Sequence, residues 1–253
     1  MTVCINCLLQ NFMKLNFTGV SDPGLIRSNN QDAYYIDPEG RFFVVADGMG
    51  GHAGGEEASR IATGEIKAYL LANWDSSKPC AQLLEEALNQ ANDAILHDQQ
   101  DHQERADMGT TVVAVIFRSG EPPWAAHVGD SRLYCLRDSK LAQITEDHTW
   151  VARAIKVGDI TPDEARNHPF RHVLSRCLGR EDLHQVDVRQ LDIQSGDRLL
   201  LCSDGLTEEL IDEKIAYYLQ QSPLIDKAAI ALVEAAKEQG GHDNITIVIV
   251  ALD

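Results

Sequence analysis

The sequence has no run approaching the roughly 20 apolar residues that a membrane-spanning helix needs, so no membrane partner is expected. Positive charge is also scarce: 22 Lys and Arg stand against 39 Asp and Glu, a net charge of −17. Nucleic acid and anionic lipid both select a basic footprint, so neither is expected as a partner. Cysteine is sparse and irregularly spaced (Cys4, Cys7, Cys80, Cys135, Cys177, Cys202), and Cys202 sits inside an apolar run. This excludes a disulfide framework and points to a reducing, cytoplasmic setting. Cys4 and Cys7 form a lone CxxC, without a second pair or a nearby His-x-x-x-His to complete a zinc site. Before Lys14 there is no basic stretch and no small-residue cleavage site, so residues 1–14 are read as a flexible extension rather than a secretory signal. A Gly-x-x-x-x-Gly-Lys-Ser/Thr loop and a Gly-x-Ser-x-Gly elbow are both missing, which removes support for an ATP-using kinase and a serine hydrolase. Internal repeats and low-complexity tracts are missing too.

What the sequence does have is one device used four times. Asp47 follows Phe42-Phe43-Val44-Val45-Ala46, and Asp130 follows Trp124-Ala125-Ala126-His127-Val128-Gly129. Asp204 follows Leu199-Leu200-Leu201-Cys202-Ser203, and Asp243 comes just before Ile245-Thr246-Ile247-Val248-Ile249-Val250. Short apolar runs bounded by turn residues read as strands covered on both faces. A carboxylate at the end of each would stand on the rim of a sheet, where distant segments meet. Carboxylates gathered there repel one another unless cations hold them, so the pattern points to a divalent-metal site. Oxygen donors favour Mg²⁺ or Mn²⁺ over zinc. A pair of such ions can activate a bridging water and clamp a phosphoryl group.

Strands are expected over 16–20, 41–46, 110–118, 124–128, 132–137, 186–191, 198–202 and 245–252. Two amphipathic helices are expected over 56–71 and 81–97, with Ala58, Ala62, Ile66 and Leu70 on one stripe and Leu83, Leu84, Ala87, Leu88 and Ile95 on the other. A late helix is expected to open at Ser222-Pro223 and to bury Ala228, Ala229, Leu232, Val233 and Ala236. Strands succeed one another with short connections instead of alternating with helices, which argues against a doubly wound parallel sheet. The expected architecture is α+β: a four-layer α-β-β-α sandwich of two antiparallel sheets flanked by helix pairs, forming one domain over 15–253. The polar segment 147–180, with a helix start at Thr161-Pro162, is too long for a plain connection and is expected to be functional.

The sharpest local motif is Asp47-Gly48-Met49-Gly50-Gly51-His52. Gly48 allows a tight turn that exposes its carbonyl as a ligand, and the following glycines let backbone approach a metal or phosphate. The helix start after Ala53-Gly54-Gly55 aims N–H groups at the same area. Arg27-Ser28-Asn29-Asn30-Gln31-Asp32 adds a guanidinium fork suited to phosphate oxygens and a further carboxylate.

Together with Met108-Gly109-Thr110-Thr111, His127-Val128-Gly129-Asp130-Ser131-Arg132, Ser203-Asp204-Gly205-Leu206 and His242-Asp243-Asn244-Ile245-Thr246, these motifs occur in an order that resembles the metal-dependent protein phosphatase family, the protein phosphatase 2C type. The resemblance runs from about Phe17 to Leu252. It implies a serine/threonine phosphatase in which hydroxide bridging two Mn²⁺ or Mg²⁺ ions attacks phosphorus directly. By the same resemblance Asp47 bridges the ions, the Gly48 carbonyl holds one, and Asp204 and Asp243 complete a shell. Asp130 holds a third ion and Asp32 acts through a metal-bound water. Arg27 binds the substrate phosphate, His148 joins it as a substrate-binding residue, and His52 is the candidate general acid. The segment 147–180 corresponds to the family's flap. The wording around Asp204 and His148 is similar to cyanobacterial members that dephosphorylate the nitrogen-signalling protein PII. Phosphorylated proteins, PII among them, are therefore the expected partners of a monomeric cytoplasmic enzyme. A thiol mechanism at Cys177 is not expected, because Asp182 stands where a phosphate loop would bring arginine. A non-catalytic module of the same fold is disfavoured by the intact aspartate set.

Overall fold

The central strands are built from residues that have cover on both sides. In β3 (Phe42–Met49), Phe42, Val44 and Ala46 face one apolar cluster while Phe43 and Val45 face another, and all five are fully buried. Runs of this kind need two layers of neighbours, which explains why they lack polar alternation. The computed structural model describes residues 14–51, 54–166, 168–183 and 185–253. Cys4, Cys7 and the extension up to residue 13, and also His52, lie outside the described residues.

In chain order, β1 (Leu15–Asp22), β2 (Asp32–Ile36) and β3 precede the paired helices α1 (Gly54–Ala72) and α2 (Cys80–Asp101). Next come β4 (Gly109–Thr110), β5 (Val112–Ile116), β6 (Trp124–Val128), β7 (Arg132–Arg137) and β8 (Lys140–Gln143). An insertion carries α3 (Trp150–Val157) and α4 (Pro162–Arg166). The chain closes with β9 (Asp187–Gln190), β10 (Arg198–Cys202), α5 (Asp204–Thr207), α6 (Asp212–Gln221), α7 (Ile225–Gln239) and β11 (Ile245–Leu252). One sheet has the order β1-β11-β10-β7-β8 and the other β2-β3-β5-β6-β9, with β4 beside β3; the pairings are antiparallel. Phe43, Val113 and Val115 of one sheet meet Leu133, Leu199, Leu201, Val248 and Val250 of the other. The α1–α2 pair covers the outer face of the second sheet, and α6 and α7 cover the outer face of the first. This is the expected α+β sandwich. No described helix is long and apolar enough to cross a membrane.

Several element expectations need correction. The strand over 110–118 is broken at Thr111, whose backbone N–H and side-chain Oγ1 both bond to Asp47 instead of continuing a ladder. The edge strands β2 and β8 were not foreseen; their residues are mostly part-exposed and carry no double-faced apolar run. Helix α6 buries only Ile215 and Leu219 and was also missed. Ser222-Pro223 does not open the late helix. Ser222 Oγ accepts from Leu224 N at 3.2 Å, a local turn that competes with a cap, and α7 starts at Ile225. By contrast Thr161 does open α4, through a reciprocal box in which Glu164 N donates to Thr161 Oγ1 and Thr161 N donates to Glu164 Oε2.

Candidate metal centre

Antiparallel register brings the first two carboxylates together: Asp32 of β2 lies directly opposite Asp47 of β3. Three hydrogen bonds hold the Asp47 main chain. Thr111 N and Thr110 Oγ1 both donate to its carbonyl at 2.8 Å, and its own N–H donates to Thr111 Oγ1 at 3.1 Å. Gly48 then passes so close to the start of α1 that a Cβ would stand 1.9 Å from the Gly55 carbonyl oxygen. Only glycine allows this approach, which sets the end of β3 against the first turn of α1.

Asp130 sits in the turn from β6 to β7, after Gly129 in a left-handed conformation (φ +103°). Asp204 opens α5 directly after β10, and a Cβ on its neighbour Gly205 would fall 2.1 Å from Asn244 O, so this helix start is pressed against the segment before β11. Asp243 belongs to that segment. Asn244 holds it in place by accepting from Gln31 N at 2.7 Å and donating to Pro23 O and Asn29 O at 3.0 Å. These loops surround a cavity of about 760 Å³ lined by Arg27, Asp47, Gly48, Asp130, Asp204 and Asp243.

The electrostatics are those of crowded, dehydrated acids. Burial pushes the Asp47, Asp130 and Asp204 carboxyls above the usual carboxylate range, and neighbouring aspartates push them further. Asp47 and Asp204 are within hydrogen-bonding reach of each other, a contact that needs a shared proton or a cation. Asp32 rises to about 7, mainly through burial, although Thr246 and Ser203 hydrogen bonds pull it down. Ser203 Oγ donates to Asp32 Oδ2 at 2.8 Å, whereas Asp32 Oδ1 is buried without a partner. An orphaned carboxylate oxygen near the raised carboxyls of Asp47 and Asp204 fits a hard divalent cation with oxygen ligands, as Mn²⁺ and Mg²⁺ are.

Arg27 lines the cavity, and its Nη2 donates to Asp243 Oδ2 at 2.6 Å. It is 52% exposed, so one face of the guanidinium remains open to an incoming anion. His148 departs from expectation. It is 3% exposed, stacked on His127, and does not line this cavity. It cannot reach substrate there, because its side chain is committed behind the Asp130 turn. Sequence reading missed Arg171, His172, Glu208 and Glu209, which all line the cavity. Glu208 stands four residues after Asp204, one helical turn on, and that spacing was an available signal. Burial, followed by the charges of Asp204 and Asp243, raises Glu208 to about 8. Its Oε1 lies 2.5 Å from Nδ1 of His172, which descends from the insertion. Glu209 Oε1 accepts from both the backbone N (3.0 Å) and Nδ1 (2.7 Å) of His242. Nothing local in the sequence marks Arg171 or His172; the fold of the insertion delivers them.

Comparison with known proteins agrees with this geometry. Residues 27–239 match the family described as Protein phosphatase 2C. The chain is 39% identical over 238 residues to the serine/threonine protein phosphatase PstP of Mycobacterium tuberculosis, covering 93% of this chain and 44% of that protein. It thus spans less than half the length of that relative. The serine/threonine phosphatase Stp of Listeria monocytogenes is 33% identical over 247 residues, covering 92% of this chain and 94% of its own. The solved catalytic domain of PstP in complex with two manganese ions superposes with a TM-score of 0.81 at 37% identity, covering 95% of this chain and 99% of that one. With ordered motifs, sandwich and acidic cavity all in agreement, the chain belongs to the protein phosphatase 2C family.

Proposed function

We propose that the protein is a metal-dependent serine/threonine protein phosphatase. The observation that carries this reading is the convergence of Asp47, Asp130, Asp204 and Asp243, from four separate segments, on one cavity with an arginine at its rim, with buried Asp32 directly opposite Asp47 in the sheet. Two Mn²⁺ or Mg²⁺ ions held there would lower the pKa of a water and so would supply the nucleophile for direct attack on phosphorus. Asp47, the Gly48 carbonyl, Asp204 and Asp243 would hold those ions, and Asp130 would hold a further one. Asp32 would act through a water on one of those ions. Arg27 trades part of its contact with Asp243 for the substrate phosphate, which a guanidinium fork can grip through two oxygens. His52 is assigned the proton for the departing seryl or threonyl oxygen on its motif alone. The open rim suits a phosphorylated side chain presented by another protein. The likeness of the Asp204 and His148 segments to the cyanobacterial members supports phosphorylated PII as the substrate of a monomeric, cytoplasmic enzyme.

Purified protein assayed on phosphothreonine and phosphoserine peptides tests the reading. EDTA should abolish hydrolysis, and Mn²⁺ should restore it. Turnover that persists in excess chelator refutes the metal mechanism, and a phospho-PII preparation left intact by the active enzyme removes PII as a substrate.

A further inference from the structure

Behind the Asp130 turn lies a polar chain, buried at His127 and His148 and part-exposed at Asp187 and Arg176, that does not line the cavity. Gly129 N donates to His148 Nδ1 at 3.1 Å, and His148 N donates to Gly129 O at 3.0 Å. His148 therefore grips both polar groups of the residue that precedes Asp130. A backbone N–H is only a donor, so His148 Nδ1 is the acceptor nitrogen and Nε2 carries the proton. That Nε2–H points to Asp187 Oδ2 at 3.2 Å. Asp187 Oδ1 in turn accepts from Arg176 Nη1 at 2.9 Å. The sheet register supports this arrangement, since Asp187 opens β9 opposite His127 of β6. The His127 and His148 rings stack at 4.5 Å, and His127 Nε2 is fixed by Glu146 O at 2.9 Å.

His127, His148 and Asp187 lie close enough together to suggest a metal site of their own. The tautomer excludes it. Both His148 nitrogens are engaged, one as acceptor and one through its proton, and no lone pair is left for a cation. Burial leaves both imidazoles neutral, each holding its proton less readily than a free histidine. The arrangement is a hydrogen-bonded strut between the insertion and the turn.

On its other side the turn is locked as well. A Cβ at Gly129 would stand 2.6 Å from the Thr111 side chain, and Thr111 is the residue that holds Asp47. Arg176 lies two residues before Leu178, whose backbone pairs with Thr110 in both directions (3.2 and 2.8 Å). Ser175 N donates to His148 O at 2.8 Å. The return limb of the insertion, the Asp130 turn and the Asp47 strand end are thus tied at one knot.

We infer that His148, Asp187 and Arg176 are positioning residues that aim the Asp130 carboxylate into the cavity and link cation occupancy there to order in the return limb of the insertion. This rests on reading Asp130 as a cation ligand. Outer partners that orient a ligand typically change metal affinity by about 10–100-fold when removed. In this protein the orienting group acts on the ligand's backbone turn, so the effect should fall on the ion at Asp130 and spare those at Asp47.

The test is a Mn²⁺ titration of the full chain, with free Mn²⁺ read by electron paramagnetic resonance and the amides of residues 174–178 followed by hydrogen exchange. The wild type should bind a weaker ion beyond the tight ones and gain protection in those amides as it fills. His148→Ala and Asp187→Ala should weaken that ion by about 10–100-fold and lose the protection, leaving the tight ions unchanged. His148→Asn retains an acceptor where Nδ1 stood but loses the tie to Asp187, so it should bind that ion more tightly than His148→Ala and no more tightly than Asp187→Ala, an order that a merely structural role would not produce. Arg176→Gln, at a part-exposed site, should shift affinity in the same direction if the alanine variants fold poorly. Wild-type binding of the weaker ion in Arg176→Gln and His148→Ala, or an asparagine variant no better than alanine, overturns the inference. An Asp130→Ala control separates the two levels. If it loses the weaker ion while His148→Ala keeps it, the positioning idea falls and the phosphatase reading stands. If it binds Mn²⁺ like the wild type, Asp130 is not a ligand and the inference falls with that assignment.

Discussion

Acid should weaken this protein through one buried imidazole. Burial, then the proximity of His127 and of the Arg176 guanidinium, lowers His148 from an ordinary value near 6.5 to about 4. The unfolded chain therefore takes up a proton between those values and the folded chain does not. Where the unfolded state binds more protons, stability rises with pH. The His148 contribution is fully present near neutrality and is lost as pH falls from about 6.5 toward 4. Integrating over that window gives about 3 kcal/mol at pH 4. The raised aspartates act in the opposite sense, because they are more comfortable when protonated, so raw stability against pH mixes both effects. Comparison with His148→Asn isolates the histidine. Urea unfolding of both proteins in EDTA, followed by far-ultraviolet circular dichroism from pH 7 to pH 4, should show the wild-type advantage shrinking by about 3 kcal/mol. A difference that stays level across that range would refute a neutral, buried His148 and the hydrogen-bond assignment that depends on it.

Asp47→Ala should lose tightly bound Mn²⁺ and phosphatase activity together, whereas Asp130→Ala should keep the tight ions and turn over slowly; metal analysis beside steady-state kinetics checks both. Gly48→Ala places a methyl 1.9 Å from Gly55 O and 2.6 Å from Gln31 O, both backbone atoms, and should cost about 3 kcal/mol in urea unfolding with loss of Mn²⁺ affinity. Asp197 is 1% exposed and accepts two bonds from Arg137, at 2.8 and 2.6 Å, and one from Gln194 N at 2.8 Å. Asp197→Ala should therefore lower stability by about 2–3 kcal/mol without changing kcat.

Much of this protein could be read in one dimension wherever a residue's role depends on its own neighbours in sequence. The stripes of α1, α2 and α7 were legible because a helix repeats every 3.6 residues and must bury one face. The buried strands were legible because both faces need apolar cover, and Asp47, Asp130, Asp204 and Asp243 were legible because each adjoins such a strand. Where cover was partial, as in β2, β8 and α6, the pattern faded and the elements were missed. The Ser222-Pro223 start was misread because a serine that turns the chain and a serine that caps a helix look alike until the hydrogen bond is known.

The sequence alone therefore settles the layer architecture and the acidic character of the site, since burial and charge density follow from composition and local spacing. Only the tertiary structure decides which carboxylate oxygen is left without a partner, that Glu208 meets His172 from the insertion, and that His148 faces the back of the Asp130 turn instead of the cavity. Those contacts join residues far apart along the chain through sheet register and loop docking. Their geometry is set by how whole layers seat on one another, and no local pattern carries that information.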